Sequence, residues 1–536
     1  MRMRLIGILA AAAALTALVG CGGNKFGGGA ANNPDHVLSY PIPNNPVKLD
    51  PAAVEDGDTI EVLHQVFEGL VMYNEDNELV GNLAESWEVS EDGKTYTFKL
   101  KSGVKFHNGR DMTAEDVKYS WDRAAHKSVE SPTVEGYMAD VVGFDEVWDG
   151  TAQELSGVKV IDPQTLQVTI KSTKAYWPMY LQYACYFVVA KEHAGLEPIT
   201  TVENMIGTGP FKMADYQQDQ FVEMVRFDDY HGGTPKLEKI RRLIASDPQT
   251  RRQMYESGKV DWVALERQDK GIIDSNPDVK DHLEMVDRTA MWYLGFGLTE
   301  QPLFKDARVR QAIAMAVDKQ RVIDEGFDGV NRRAEGIMPP AIPGFDESFK
   351  GYQLDVNRAK ELLADAGFPE GKGLPQIKLF FRSDRQDARI LCTMVQQDLR
   401  AIGVNVELAP TEWKALLEMR SRGELGFFHL RWGADYLDPQ NYLSFMLHTN
   451  ARENTLGYSN AEFDRLCDTA DRLPMARQEE RIQMYRQAER IAVDDAIWIP
   501  MYFQRDIELV RPAVTGLRRS SMGPLPHTTT DVVWNR

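Results

Sequence analysis

This chain contains residue types that commonly act in catalysis, but their spacing does not match the common catalytic motifs. The GxSxG, HExxH, GxxxxGKS/T and GxGxxG patterns are absent, so no nucleophile elbow, zinc helix or phosphate loop is indicated. In Gly207-Thr208-Gly209-Pro210 the proline lacks the backbone N–H that a phosphate loop needs, so we interpret this segment as a turn. The ten histidines are scattered, and no spacing among the 80 acidic residues marks an acid–base pair. Active sites are assembled in space, so these absences weaken the case for an enzyme without excluding one.

The four cysteines, Cys21, Cys185, Cys392 and Cys467, do not form a metal-ligand pattern. They share no CxxC spacing and have no histidine pattern beside them, which argues against a zinc site. We expect the last three to be buried, inert thiols, and whether Cys392 and Cys467 pair is open. No metal or cofactor is predicted.

Length and charge restrict the class of protein. At about 150 residues per domain, 536 residues indicate three to four domains, and 43% hydrophobic with 26% charged residues is ordinary for a globular protein. The chain has 61 Lys+Arg against 80 Asp+Glu, a net charge of −19. Such an acidic field repels phosphate backbones, so we predict no nucleic-acid partner.

The N-terminus has the features of a lipoprotein signal. Arg2 and Arg4 precede an apolar stretch over 5–19, which is too short to span a bilayer but suits a signal peptide. The stretch ends close to Cys21, an arrangement that resembles the bacterial lipobox, whose cysteine is lipidated. We predict a signal peptide over 1–20, a lipid on Cys21 and a flexible tether over 21–34. The protein would then be anchored by its lipid at a periplasmic or other extracytoplasmic membrane face.

Strand-like and helix-like segments alternate along the rest of the chain. Hairpins are predicted to pair 87–89 with 95–100 around Asp92-Gly93, and 158–161 with 165–170. A strand over 377–381, a helix over 388–402 and a strand over 404–408 predict a βαβ unit with parallel strands. Together the pattern predicts an α/β fold with two lobes. The other predicted elements are a strand over 36–40 and helices over 59–71, after the N-cap Thr113, over 307–317, and over 356–366 before Gly367.

Several segments together resemble the bacterial extracellular solute-binding proteins of family 5, the oligopeptide-, dipeptide- and nickel-binding components of ABC importers. Residues 83–120, LAESWEVSEDGKTYTFKLKSGVKFHNGRDMTAEDVKYS, contain the family's AESW start, DGxxYTFxL hairpin, FHxG turn and TAEDVxYS helix. The resemblance covers 49–510. Its other segments are LDP at 49–51, FEGL at 67–70, IGTGPFKM at 206–213, VRQAIAMAVDK at 309–319 and RWGADYLDP at 431–439.

This resemblance implies a two-lobed periplasmic-binding-protein fold of type II, in the large cluster with an extra inserted domain. The lobes would close on a ligand about a hinge. The hinge would lie near 292–298 and 501–506, at the base of an interlobe cleft. The first lobe would comprise 35–82, 206–296 and 506–536, the inserted domain 83–205, and the second lobe 297–505.

A peptide enclosed in such a cleft needs a carboxylate for its α-ammonium and strand-like segments for its main chain. The resemblance assigns the first role to Asp435, and Trp432 would line a side-chain pocket. Residues 428–432 would supply β-type hydrogen bonds from one side. The further residues expected at the site are Arg431, Gly433 and Tyr436 on the same segment and, on the opposite side, Glu55, Asp56 and Gly57.

The resemblance also implies an arginine that grips the ligand carboxylate, a task to which bidentate guanidinium groups are suited. Arg382 stands where dipeptide binders of the family place this residue, but the Pro-Tyr-Asn-Pro that follows there is missing, and Arg385 competes. Gly433 occupies the position where some oligopeptide binders carry a disulfide cysteine, so that bridge is absent. The length of the peptide is left open.

The function implied by the resemblance is that of a substrate-binding lipoprotein, monomeric and without enzymatic activity. It would capture peptides and deliver them to the permease subunits and ATPases of an importer. Two alternatives stay open. One is the same role for a nickel chelate, haem, opine or oligosaccharide, and the other is a surface lipoprotein hydrolase.

Overall fold

A computed structural model describes residues 37–523 and 529–534 of the chain. The predicted signal peptide, Cys21 and the tether lie outside the described residues. Within the described ranges, none of the helices has the length and apolar character that crossing a bilayer demands. The strands are β1 (Val37–Ile42), β2 (Val71–Tyr73), β3 (Leu79–Gly81), β4 (Ala84–Val89), β5 (Thr95–Leu100), β6 (Val158–Asp162), β7 (Thr165–Thr169), β8 (Phe211–Gln217), β9 (Phe221–Arg226), β10 (Lys239–Ile244), β11 (Trp262–Leu265), β12 (Leu283–Phe296), β13 (Arg332–Arg333), β14 (Ile377–Arg382), β15 (Val406–Thr411), β16 (Phe427–Gly433), β17 (Trp498–Val510), β18 (Val514–Thr515) and β19 (Val533–Trp534). The helices are α1 (Gly57–Leu63), α2 (Ala114–Ala125), α3 (Val134–Met138), α4 (Phe144–Trp148), α5 (Trp177–Tyr180), α6 (Pro248–Glu256), α7 (Lys270–Asp274), α8 (Ala307–Ala316), α9 (Lys319–Gly326), α10 (Val356–Asp365), α11 (Gln386–Arg400), α12 (Trp413–Ser421), α13 (Ser444–Leu447), α14 (Ala461–Arg472) and α15 (Gln478–Asp494).

Two four-stranded sheets occupy the first half of the chain. One has the order β1-β10-β9-β8, in which β1 runs parallel to β10 and the other neighbours are antiparallel. The other has the order β4-β5-β7-β6, is antiparallel throughout and uses only residues 84–169. The lobe and domain boundaries stay predictions, and these two sheets fall within the ranges predicted for the first lobe and the inserted domain.

The largest sheet has the order β11-β17-β12-β16-β14-β15, with β13 paired to β17. The predicted βαβ unit is confirmed, since β14 and β15 are parallel and α11 connects them. Alternate residues of a strand face opposite sides of a sheet. Accordingly Leu294 of β12 packs with α8 and α11 on one face, while Tyr293 packs with α14 and α15 on the other.

Two long antiparallel strands, β12 and β17, connect the parts of this sheet. Their pairing is interrupted between Asp287 and Met291 of β12. On one side of the break β17 also pairs with β11, and on the other side β12 also pairs with β16. Within the break, the carbonyl of Thr289 accepts hydrogen bonds from the Ala434 backbone N–H at 2.8 Å and the Tyr442 hydroxyl at 2.9 Å. The break therefore lies where the segment after β16 joins the sheet.

Several predicted elements are confirmed in detail. The β4–β5 hairpin pairs Trp87 with Phe98, and its turn has Gly93 at a positive φ of 69°. Thr113 caps α2 in a capping box, with Asp116 accepting a hydrogen bond from the Thr113 backbone N–H at 2.9 Å. The helices α8, α10 and α11 lie within one or two residues of the predicted bounds.

The helix predicted over 59–71 is wrong in its second half, because α1 ends at Leu63. Beyond this point the backbone bonds to distant segments: the carbonyls of Glu68 and Leu70 accept from the N–H groups of Val188 and Asn82, each at 2.9 Å. A Cβ added to Gly69 would lie 2.5 Å from the Leu181 carbonyl oxygen. The apolar residues of this segment are therefore buried by tertiary contacts and not by a helical face.

Candidate functional site

Asp435 lies in the loop that follows β16. The loop is fixed by Asn441, whose side-chain oxygen accepts from the Asp435 backbone N–H at 3.2 Å and whose carbonyl accepts from Trp432 Nε1 at 3.0 Å. Because β16 is central in the largest sheet, it gives this loop a rigid base. The position of Asp435 thus depends on both the sheet and a short local hydrogen-bond network.

The Asp435 carboxyl group is partly exposed, and protein groups surround it. Burial raises its pKa to about 6, while hydrogen bonds from the side chains of Tyr137 and Asn441 oppose that shift. The ring of Tyr137 stacks on that of Tyr183 with 4.0 Å between centroids. A carboxylate whose ionisation is disfavoured in this way is suited to bind an ammonium group, which would supply the missing positive charge.

The loop around Asp435 is held by Gln182, which follows α5, and by Tyr73 of β2. Gln182 Nε2 donates to the Asp435 carbonyl at 2.8 Å, and the Tyr73 hydroxyl accepts from the Leu437 N–H at 2.9 Å. Tyr436 is buried and its ring contacts that of Tyr180, with 4.9 Å between centroids. Segments distant in sequence therefore define one side of the site.

Glu55 lies near enough to Tyr183 for its charge to act on that hydroxyl, and Asp56 and Gly57 follow it at the start of α1. Asp56 accepts from the Thr59 N–H at 2.9 Å and caps α1, which begins at Gly57. Glu55 is exposed. Burial raises the pKa of Tyr183, and the negative charges of Asp435 and Glu55 raise it further. The structure therefore brings Glu55 and Asp435 to the same tyrosine, although no strand is formed over 55–57.

One edge of β16 is incompletely paired. β12 pairs along Phe427–Gly433, whereas β14 pairs only at Phe427 and Phe428. Beyond Phe428 the β14 side of β16 has no strand partner among the described residues. An unpaired strand edge can accept an extended peptide by β-augmentation.

A cavity of about 610 Å³ lies between residues 172–176 and residues 440–453. Its volume is within the range of small-molecule sites. The ring of Trp432 packs 5.8 Å from that of Phe445, which lines the cavity. Other lining residues are Gly136, Tyr176, Gln440 and Glu453.

Arg382 and Arg385, the competing carboxylate binders, each already hold an acidic side chain. Arg382 donates to Asp384 at 3.0 and 2.6 Å, and its guanidinium lies 4.2 Å from the centre of the Trp413 ring. Arg385 donates to Asp387 at 3.0 and 2.6 Å. The assignment of either residue to a ligand therefore stays a prediction.

Arg431 differs from these arginines. Its side chain is exposed, and its Nε donates to Oε1 of Gln504 at 2.9 Å. The guanidinium lies over Gly433, where an added Cβ would meet Nη2 at 2.9 Å. Gly433 therefore leaves room for this side chain.

The open question about the cysteines is resolved for the described part of the chain. Cys392 and Cys467 are buried and free, as is Cys185. Burial raises the pKa of each of these thiols, which keeps them protonated. The prediction of buried, inert thiols is confirmed for these three residues.

Sequence patterns did not indicate several residues of the site, namely Tyr137, Tyr180, Gln182, Tyr183 and Asn441. The one available signal was aromatic density, because 175–187 contains four tyrosines, a tryptophan and a phenylalanine. Such density is more often typical of a core, and nothing in the spacing connects it to Asp435. The contact became visible only in three dimensions.

The fold and the site define a two-lobed binding protein of the periplasmic-binding-protein class. NikA from Brucella suis, solved in complex with Fe(III)-EDTA, superposes with a TM-score of 0.81 at 23% identity, covering 93% of this chain and 99% of that chain. This similarity establishes the fold and confirms the predicted two-lobed α/β class.

The chain belongs to the bacterial extracellular solute-binding proteins of family 5. The sequence model described as "Bacterial extracellular solute-binding proteins, family 5 Middle" matches residues 78–454. The dipeptide-binding protein DppE of Bacillus subtilis is 29% identical over 529 residues, 95% of each chain. Heme-binding protein A of Haemophilus influenzae is 28% identical over 518 residues, 92% of each chain. The resemblance seen in the motifs is confirmed, and both relatives are named as binding proteins.

Proposed function

We propose that this protein is the substrate-binding component of an ABC importer and captures peptides in the cleft between its lobes. The observation that carries the proposal is the setting of Asp435. Its carboxyl group has a pKa raised to about 6 by burial and stands beside the stacked rings of Tyr137 and Tyr183. A ligand ammonium would supply the positive charge that this group lacks.

The main chain of the peptide would bind along the edge of β16. This edge is unpaired beyond Phe428 on the side of β14, which supports the prediction that 428–432 bonds to an extended ligand. Glu55, Asp56 and Gly57 would complete the opposite side. Ligand side chains would enter the cavity of about 610 Å³ that Phe445 lines and against whose wall Trp432 packs.

A non-peptide solute is the alternative within the family. One relative is named for dipeptides and another for haem, at 29% and 28% identity, so identity alone does not choose the ligand. Asp435 supports an amine-bearing ligand, because a neutral or anionic one would leave its carboxylate uncompensated. A nickel chelate or an oligosaccharide is a weaker alternative for the same reason. An opine carries an amine and stays open, and a surface hydrolase has no observation in its favour.

The proposal includes delivery to a membrane. The protein, acting as a monomer, would close on its peptide and dock on two permease subunits driven by ATPases. Cleavage of 1–20 and lipidation of Cys21 would anchor it through the 21–34 tether. In this arrangement 35–82, 206–296 and 506–536 form the first lobe, 83–205 the inserted domain and 297–505 the second lobe.

Titration calorimetry of the purified protein with di- to pentapeptides tests the proposal. We expect Asp435→Asn to weaken peptide binding by about 10- to 100-fold, since a hydrogen bond to a charged group contributes roughly 1.5–3 kcal/mol. Asp261→Asn is a matched control, because burial raises the pKa of that carboxyl to about 6 as well, and it bonds to Ser39 away from the site. Unchanged affinity in Asp435→Asn would refute the amine anchor. Turnover of a labelled peptide would instead support the hydrolase.

A further inference from the structure

We propose that the protein has a second binding site, a cavity of about 630 Å³ that takes a neutral apolar solute built of rings. One wall of the cavity comes from β2, β3, the β4–β5 hairpin and residues 173–179, and the other comes from Pro343, Leu437 and residues 474–478. Asp435 is not among the lining residues. The site is therefore distinct from the proposed amine site, and this inference does not rest on peptide binding.

Aromatic rings form much of the first wall, which is lined by Tyr73, Trp87 and Tyr96. Two of these rings are supported from behind. The ring of Tyr96 lies 4.6 Å from that of Trp177, and the ring of Trp87 lies 6.3 Å from that of Phe98, measured between centroids. Rings fixed in this way offer flat apolar faces at little cost in side-chain entropy, and such faces pack best against another ring system.

The second wall is apolar and stiff. Pro343, Leu437 and Pro474 line it, and each proline fixes its own backbone φ angle. Leu437 is also joined to the first wall, because its backbone N–H donates to the Tyr73 hydroxyl at 2.9 Å. The two walls therefore form a cavity before any ligand arrives, which lowers the cost of ordering on binding.

Two apolar side chains of the lining are open to water. Val89 is 45% exposed and Met475 is 47% exposed, and they belong to opposite walls of the cavity. Apolar surface that is left open to water around one cavity is typical of a ligand site. A solute in the cavity would cover both side chains.

The charges of the lining favour a neutral solute. Among the described residues that line the cavity, Glu91 and Lys174 are the charged ones. Nζ of Lys174 lies 2.6 Å from Oδ2 of Asp140, so its charge is already compensated. An anion would therefore lack a cation of its own, and the net charge of −19 opposes it further. Glu91 is exposed in the β4–β5 turn, where screening by water and salt leaves little attraction for a cation.

The size of the cavity sets the size of the solute. Its volume of about 630 Å³ lies within the range of about 300–1,000 Å³ that holds drug-sized ligands. Gln478 also lines the cavity, and its side-chain amide would bond to a hydroxyl or carbonyl group of the solute. We therefore expect a solute of a few rings with few polar groups.

Fluorescence titration of the purified protein with two naphthalene probes tests the inference. N-phenylnaphthylamine is neutral, and anilinonaphthalene sulfonate carries the same rings with one negative charge. Both emit strongly only in apolar surroundings. We expect the neutral probe to bind at least about tenfold more tightly than the sulfonate, and saturating Ala-Ala-Ala should not displace it.

Substitutions in the two walls locate the bound probe. Val89→Glu places a charge in the first wall, and Ala476→Trp fills the cavity from the exposed end of the second wall. Each should weaken binding of the neutral probe by about tenfold or more, while calorimetry shows unchanged affinity for peptides. Ile161→Glu is the matched control, because Ile161 is a 57% exposed apolar residue of β6 in the same sheet as Val89. This variant should bind the probe as the wild type does.

Equal probe affinity in Val89→Glu, Ala476→Trp and the wild type would overturn the inference. Displacement of the probe by Ala-Ala-Ala in proportion to the bound peptide would overturn it as well, since the probe would then lie in the peptide site. Tighter binding of the sulfonate would refute the neutral class of solute. If circular dichroism shows that Val89→Glu does not fold, Ala476→Trp decides alone. Failure of this inference leaves the proposed peptide site intact, and failure of peptide binding leaves this cavity and its test intact.

Discussion

Burial makes ionisation of the Asp435 carboxyl group unfavourable in the absence of a nearby cation. Burial raises its pKa to about 6, and the hydrogen bonds from Tyr137 and Asn441 compensate only part of that effect. A ligand ammonium would complete the compensation, because a buried charge is stabilised best by an opposite charge. If Asp435 binds the ligand as proposed, it would favour charged amines over neutral groups of similar size.

Peptide affinity should fall as the pH falls through about 6. Only the ionised carboxylate of Asp435 attracts an ammonium, and a group with a pKa raised to about 6 becomes mostly protonated below that pH. We expect Kd to rise by about tenfold per pH unit between pH 6 and pH 4.5, measured by calorimetry from pH 8 downward. In Asp435→Asn this dependence should disappear, whereas Asp261→Asn should keep it. A wild-type Kd that stays constant to pH 5 would contradict the assignment.

At the scale of residues, the sequence singles out Asp435 as a candidate but does not predict which side chains surround it. Asp435 was identifiable because RWGADY follows a recognisable family pattern. Tyr137, which bonds to it, lies about 300 residues earlier in a short helix whose spacing indicates only burial. Arg431 was expected as part of the segment, but its hydrogen bond to Gln504 of β17 could not be predicted from any local pattern.

At the scale of elements, a buried ion pair joins the segment after β11 to the start of α11. Arg267 Nη1 lies 2.9 Å from Oδ2 of Asp387, and both side chains are almost fully buried. Burial alone would raise the pKa of Asp387, but the hydrogen bonds from Arg385 and the charges of Arg385 and Arg267 hold it below its usual value. This pair lies beside the long strands that connect the parts of the largest sheet.

Asp387→Ala should therefore destabilise the protein strongly. Removing the carboxylate leaves Arg267 buried without its partner, which costs about 3–5 kcal/mol of unfolding free energy. The exposed neighbour Asp384 is a matched control, because it pairs with Arg382 at the surface and Asp384→Ala should cost less than about 1 kcal/mol. Urea unfolding followed by circular dichroism measures both values. Similar losses of unfolding free energy in the two variants would show that the buried Arg267–Asp387 pair stabilises the protein no more than the exposed Arg382–Asp384 pair.

Elements were predictable where local signals agree with the tertiary structure. The β4–β5 hairpin has a turn glycine at positive φ, α2 has a capping box, and β14–α11–β15 has clear periodicity. The end of α1 was not predictable, because the backbone after Leu63 bonds to strands and loops far away in sequence. Apolar periodicity in a sequence indicates which residues are buried. Residues buried by distant segments can show the same periodicity as residues buried on one face of a helix.

At the scale of the whole molecule, residues 176–182 contact the loop after β16, where we propose that the ligand binds. Gln182 bonds to the carbonyl of Asp435, the ring of Tyr176 stacks on that of Tyr436, and the ring of Tyr180 meets Tyr436 edge to face. Two-lobed binding proteins close by hinge motion. A closing movement would make or break these contacts. The free energy of closure and the proposed recognition of the ligand amine would therefore both depend on the loop after β16.

Gln182→Ala should shift this molecule toward an open form and weaken peptide binding. The lost hydrogen bond contributes about 1 kcal/mol, which corresponds to a roughly fivefold larger Kd if the closed form alone binds tightly. Small-angle scattering should show a larger radius of gyration at subsaturating peptide, and calorimetry should show the weaker affinity. Gln164→Ala is the control, because that glutamine bonds to Ser102 on an exposed hairpin of the same domain and should change neither quantity. If Gln182→Ala matched the wild type in both measurements, this contact would play no part in closure, and the inserted domain would act only as a support for the tyrosines around Asp435.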